Sequence, residues 1–153
     1  GRIYFAPASA GRVLCIDPQT QAVELLGPVI RGGGKYFAGG VLAANGRIYF
    51  APYNASRVLC IDSERDTAEQ LGPEIPGSDR YSSAGVLAPN GKIYFAPCTA
   101  RQVLSIDPSA DAVEMVGPEI DGKDKYMAAG VLAPSGKIYF APTNALRALS
   151  VDP

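Results

Sequence analysis

Gly1-Arg2-Ile3-Tyr4-Phe5-Ala6-Pro7 returns as Gly46 to Pro52, as Gly91 to Pro97 and as Gly136 to Pro142, each time 45 residues on and without a gap. A fixed period between about 20 and 50 residues is the mark of an architecture built from repeats. The repeats run 1–45, 46–90 and 91–135, with a partial fourth at 136–153. The chain therefore holds about 3.4 copies of one unit, read as a single domain over 1–153.

Each full copy contains four short apolar runs. In the first they are Ile3–Ala6, Val13–Ile16, Ala22–Leu26 and Phe37–Ala43, and Pro7, Asp17-Pro18, Gly27-Pro28 and Asn45-Gly46 interrupt them. Runs of four to seven residues rich in Ile, Val, Tyr and Phe predict strands, and the Gly and Pro between them supply turns. The first two runs are apolar at consecutive positions, so both of their faces need cover. A sandwich strand would alternate apolar with polar residues. The run ending Gly39-Gly40-Val41-Leu42-Ala43 is small and Gly-rich, which suits a crowded axis, whereas the run with Glu24, Glu69 or Glu114 suits an outer edge where charge deters stray pairing. The expected order from axis to rim is Gly-rich, Ile-Tyr-Phe-Ala, Val-Leu-x-Ile, then Glu-bearing. The expected fold class is all-β, a β-propeller of 45-residue four-stranded blades whose ring is closed by partner chains or by further sequence.

Gly85-Val86-Leu87-Ala88-Pro89-Asn90-Gly91-Lys92-Ile93-Tyr94-Phe95-Ala96, together with the stretch from Asn54 through Arg57-Val58 to Ile61-Asp62, resembles the NHL-type propeller blade. The resemblance covers the whole chain and implies a fold. Pro7, Pro52, Pro97 and Pro142 stand where that family usually has Asp. Kelch and WD-repeat propellers are similar more distantly, without the WD dipeptide or the paired-Gly signature. Gluconolactonase-like propellers hold an axial metal through carboxylates and Asn. The inner runs here offer Gly, Val, Leu and Ala instead, so no metal and no other cofactor is expected.

Composition narrows the function classes. Fourteen basic against fifteen acidic residues leave a net charge of −1, which provides no basic field for a nucleic-acid backbone. No apolar run approaches the 18 or more residues of a membrane span. The sequence has no histidine and no paired nucleophile and base, and on that ground it reads as not an enzyme. Cys15 and Cys60 share a repeat position with Ser105 and Ser150, the pattern of a small buried strand site. Asp17, Asp62, Asp107 and Asp152 close strands and suit Asx turns. Asn54-Ala55-Ser56 is a glycosylation sequon.

Two loops of each repeat are expected on one face. They carry Lys35, Arg80 and Lys125 beside Tyr36, Tyr81 and Tyr126, with Arg12, Arg57 and Arg147 nearby. A cation next to an aromatic hydroxyl is suitable chemistry for a small anion or a carbohydrate. The competing reading packs each Tyr beneath its loop and pairs each cation with Asp79, Asp124, Glu74 or Glu119. The leading functional expectation is a non-enzymatic protein-interaction or scaffold module, on its own or as part of a larger protein or complex. Its alternative is a lectin-like or anion-binding propeller using the repeated Lys/Arg–Tyr loop face.

Assembly follows from burial. Apolar blade faces at either end of such an arc, made by Ile3, Phe5, Leu14 and Ile16 and by Ile138, Phe140 and Leu149, would meet water. Burial is worth about 25 cal/mol per Å², so two faces of several hundred Å² represent on the order of 10 kcal/mol. The expected partner is a protein: either a homo-oligomer, most simply a dimer with about seven blades, or the remainder of a larger protein.

Overall fold

The computed structural model describes all 153 residues. It contains fourteen strands and no helix, hence no helix long and apolar enough to cross a membrane. The strands are β1 (Ile3–Phe5), β2 (Val13–Ile16), β3 (Val23–Leu26), β4 (Val41–Leu42), β5 (Arg47–Phe50), β6 (Val58–Asp62) and β7 (Thr67–Leu71), followed by β8 (Val86–Leu87), β9 (Ile93–Phe95), β10 (Val103–Asp107), β11 (Ala112–Val116), β12 (Val131–Leu132), β13 (Ile138–Phe140) and β14 (Leu149–Val151).

They form four antiparallel sheets in the orders β1-β2-β3, β4-β5-β6-β7, β8-β9-β10-β11 and β12-β13-β14. The two central sheets have the four strands in the order the sequence predicts. The sheets cut across the sequence repeats, since the second, third and fourth each start with the Gly-rich run that closes the preceding copy. That run pairs over only two residues, for example Val41 with Tyr49 and Leu42 with Ile48. Gly40 and Gly85 precede it for a packing reason: a methyl group on them would come 2.5 and 2.6 Å from the rings of Phe50 and Phe95. A side chain there would evict the ring that covers the inner strand.

The hydrophobic core is divided among the gaps between sheets. In the middle gap, Tyr49, Ala51, Val58 and Cys60 of the second sheet meet Ile93, Phe95, Leu104, Ile106 and Val113 of the third. The first gap repeats this with Val13 and Tyr4 against Phe50, Leu59, Ile61 and Ala68. The last gap sets Tyr94, Ala96 and Val103 against Ile138 and Phe140. Every sheet thus has a Tyr-Ala-Val-Cys/Ser face and an Ile-Phe-Leu-Ile face, and unlike faces meet. This explains the consecutive apolar residues: successive side chains point to opposite faces, and a neighbour covers each.

Cys15, Cys60 and Ser105 are buried as expected of a small strand site, and Cys98 is buried in the loop after β9. Ser150, on a face that no neighbour covers, is exposed. At the strand ends, Asp17 accepts from the backbone N–H of Gln19 at 2.9 Å, Asp62 from that of Glu64 at 3.0 Å and Asp107 from that of Ser109 at 3.0 Å. These are the Asx turns anticipated, and their donors hold all three carboxyls below the usual carboxylate range.

Candidate functional site

The repeated cations and tyrosines lie inside the molecule. Lys35 is 1% exposed, and its Nζ donates to the carbonyls of Gly32 at 2.7 Å and Ala8 at 3.1 Å. Lys125 repeats this with Gly122 at 2.9 Å and Ala100 at 2.8 Å. Arg80 reaches the carbonyls of Pro76, Tyr53 and Ala55 at 3.0, 3.2 and 2.8 Å. Each Tyr crosses to the next sheet: Tyr36 donates to Arg57 O, Tyr81 to Gln102 O and Tyr126 to Arg147 O, at 3.0 to 3.1 Å.

The six residues expected to meet a ligand spend these donors on backbone carbonyls. Lys35, Arg80 and Lys125 form no ion pair with an acidic side chain, whereas Arg57 does. Burial lowers the pKa of Lys125 and Arg80 and raises that of Tyr36 to about 12. Each unit staples the loop entering a sheet to its neighbours. The backbone does the same, with Tyr53 N–H to Lys35 O at 2.8 Å and Cys98 N–H to Arg80 O at 2.7 Å. Of the arginines expected nearby, Arg12 and Arg147 are exposed, and Arg57 is half-buried with Glu74 at 3.6 Å. Asn54 of the sequon is exposed, and its Oδ1 accepts the Asp79 N–H at 2.8 Å.

A second repeated constellation, at the opposite ends of the same strands, escaped the sequence reading. Arg2 lies 3.0 Å from Asp66 of the next sheet, and the Tyr4 hydroxyl donates to the same carboxylate at 2.6 Å. One gap on, Arg47 lies 3.0 Å from Asp111, and the Tyr49 hydroxyl is 3.5 Å from it. Asp66 and Asp111 occupy a left-handed turn (φ 52° and 50°) just before the outer strand. The signal was available, because Arg2, Arg47, Lys92 and Lys137 recur every 45 residues with Tyr4, Tyr49, Tyr94 and Tyr139 two places on.

The two ends of the arc differ in kind. On the first sheet the Ile-Phe-Leu-Ile face is uncovered, and Phe5 is 50% exposed where Phe95 and Phe140 are fully buried. On the last sheet it is the opposite face, with Tyr139, Ala141, Ala148 and Ser150 exposed.

No family model matches the chain, and no curated protein matches it in sequence. Solved structures do share its fold. Virginiamycin B lyase from Staphylococcus aureus superposes with a TM-score of 0.67 at 15% identity, over 92% of this chain and 45% of that one. A streptogramin B lyase gives 0.69 at 16% identity, over 98% and 50%. Kuenenia stuttgartiensis hydrazine synthase gives 0.64 at 16% identity, over 90% and 37%. The chain is an arc of a β-propeller.

This arc spans half or less of the length of those structures. The sheets are its blades, in the order inferred from the repeat. The reading that the chain is not an enzyme is corrected by the same comparison, because propellers with this arrangement include lyases. At such identities the likeness shows the fold alone. The specific NHL resemblance remains a resemblance of blade sequence.

Proposed function

We propose that the chain is an interaction and assembly module of the β-propeller kind, whose uncovered blade faces take up further blades of the same repeat. The observation that carries this is the complementarity of the two open faces. Ile3, Phe5, Leu14, Ile16 and Val23 on the first blade correspond to residues that are buried against a Tyr-Ala-Val-Cys/Ser face in the second and third blades. The last blade presents just such a face through Tyr139, Ala141, Ala148 and Ser150. Unlike faces on one molecule make a head-to-tail contact, which closes into a ring when the rotation permits. Each chain has four sheets, so two copies joined through these faces make a ring of eight blades, within the usual range of propellers.

The carbohydrate or small-anion alternative retains only Arg12, Arg57 and Arg147, since the other cations are bound to carbonyls. Among the lyase structures is a catalytically inactive histidine-to-alanine variant with quinupristin. The present 153 residues contain no histidine, and a lyase activity of that kind is not proposed for them.

Co-purification of two differently tagged copies tests the interaction reading. Capture of one tag is expected to retain the other, and Ile3→Asp with Phe5→Asp to abolish the retention, whereas Ser9→Asp on the exposed loop leaves it intact. Independent purification of the two wild-type copies at micromolar concentration would contradict it.

A further inference from the structure

The loops that lead from one blade to the next do not carry the same charge in every repeat. Residues 74–80 set Glu74 and Asp79 against Arg80, and residues 119–125 set Glu119, Asp121 and Asp124 against Lys123 and Lys125. Residues 29–35, Val-Ile-Arg-Gly-Gly-Gly-Lys, hold two cations and no acid. In the second repeat the Glu of this loop answers an arginine, with Arg57 at 3.6 Å from Glu74. Arg12 stands at the position of Arg57 but has Val29 in place of the carboxylate, and its exposed guanidinium has no partner. Arg31 is exposed and unpaired as well. In the third repeat one guanidinium, that of Arg101, meets both Glu119 and Asp121, at 2.6 and 3.1 Å, so the side chains at these two loop positions point the same way. Their counterparts in the first repeat are Val29 and Arg31. Arg12 and Arg31 therefore flank Val29, and the Ile30 N–H fixes that arrangement by donating to Gly11 O at 2.8 Å.

The backbone beside these arginines is rich in free donors. Lys35 Nζ holds the Gly32 carbonyl inward at 2.7 Å, and across a trans peptide the Gly33 N–H then faces outward. In the second repeat the Asp79 N–H is taken by Asn54 Oδ1 at 2.8 Å. The counterparts of that pair are Gly34 and Ser9, and the Gly34 N–H donates to no protein group, nor does that of Gly32. Gly32 and Gly34 have φ of 102° and 59°, a turn that gathers successive N–H groups into an anion-binding concavity. A methyl group on Gly32 or Gly33 would meet nothing within 4 Å, so the space in front of these donors is open.

We infer that the glycine loop from Arg31 to Gly34, together with Arg12, is a binding site for a phosphate monoester group. Two guanidinium forks and a row of backbone N–H groups offer more donors than the two oxygens of a carboxylate can take, and two positive charges match the near-double charge and three terminal oxygens of a monoester. Lys35 stays out of the contact, because its ammonium holds the loop from below. The site gives the small-anion alternative a place and a ligand class. It uses neither open blade face, so phosphate binding and self-association stand or fall separately.

Inorganic phosphate titrated into the 153-residue chain at low ionic strength tests this, followed by calorimetry and by the amide resonances of Gly32, Gly33 and Gly34. Saturable one-to-one binding is expected, with the largest shifts at those amides and comparable affinity for glycerol 1-phosphate. Dimethyl phosphate, which has one charge and two free oxygens, should bind about tenfold more weakly or worse. Arg31→Ala should weaken phosphate binding about tenfold or more. Val29→Glu should do the same, because it returns an exposed position to the residue of the other two repeats and draws Arg12 into an ion pair. Both changes lie on the surface and leave the fold intact. Arg147→Ala, at an exposed arginine away from the glycines, should leave binding unchanged. Absence of saturation up to about 50 mM phosphate, equal affinity for the diester, or equal losses from Arg31→Ala and Arg147→Ala would overturn the proposal.

Discussion

The guanidinium of Arg47 in one blade lies 3.0 Å from both oxygens of Asp111 in the next, 64 residues along the chain. Asn45 Nδ2 adds a bond to the Pro108 carbonyl at 3.0 Å beside it. These contacts cross a gap otherwise filled by apolar side chains, and set the rotation of one blade against its neighbour. Asp111→Ala should destabilise the chain by about 0.5–1 kcal/mol, given its partial exposure. A double-mutant cycle with Arg47→Ala, measured by urea unfolding, should return a coupling of that size that shrinks at high salt.

The phenylalanines provide an internal control. Phe95→Ala removes a fully buried ring and should cost about 3–5 kcal/mol. Phe5→Ala, at the same repeat position but half exposed, should cost under about 1 kcal/mol in the isolated arc. Gly85→Ala drives a methyl group into the Phe95 ring and should cost about 1–3 kcal/mol. Thermal unfolding of the three variants checks the ranking.

Substituting Lys125 by Met retains the buried stem but leaves the carbonyls of Ala100 and Gly122 without their donor. A loss of about 1–3 kcal/mol is expected, against less than about 0.5 kcal/mol for Lys123→Met on the exposed loop beside it. Equal stabilities of the two variants would show that the buried ammonium is not a staple.

Alkali should act through the tyrosines. Burial pushes the Tyr36 phenol up to about 12, and that of a tyrosine in the unfolded chain is about 10. Between those values the unfolded chain has lost the proton that the folded one keeps, so stability falls as pH rises through this window. Tyr36→Phe should flatten the fall while lowering stability at neutral pH by about 1 kcal/mol, because Arg57 O loses its donor. Urea midpoints from pH 8 to 12 measure both effects.

Much of this architecture could be read from Gly1 to Pro7 and its copies, because a perfect period forces identical units and the apolar runs demand cover on both faces. Strand order followed from Gly40 and Glu24, whose chemistry suits only the crowded and the edge positions. The inward turn of the loop cations was not legible, for a physical reason. A Lys beside a Tyr has the same composition whether it waits for an anion or turns inward to carbonyls, and only the path of the chain through Gly32 and Ala8 makes the inward choice. The Arg47–Asp111 lattice was hidden because its partners come from different strands of different blades, 64 residues apart.

Sedimentation velocity on the isolated chain at micromolar concentration tests the open-face account most directly. The account predicts a species at twice the 16.0 kDa chain mass or above, converted to monomer by Ile3→Asp with Phe5→Asp. A stable, well-folded monomer of the wild-type chain, with no concentration dependence, would contradict it.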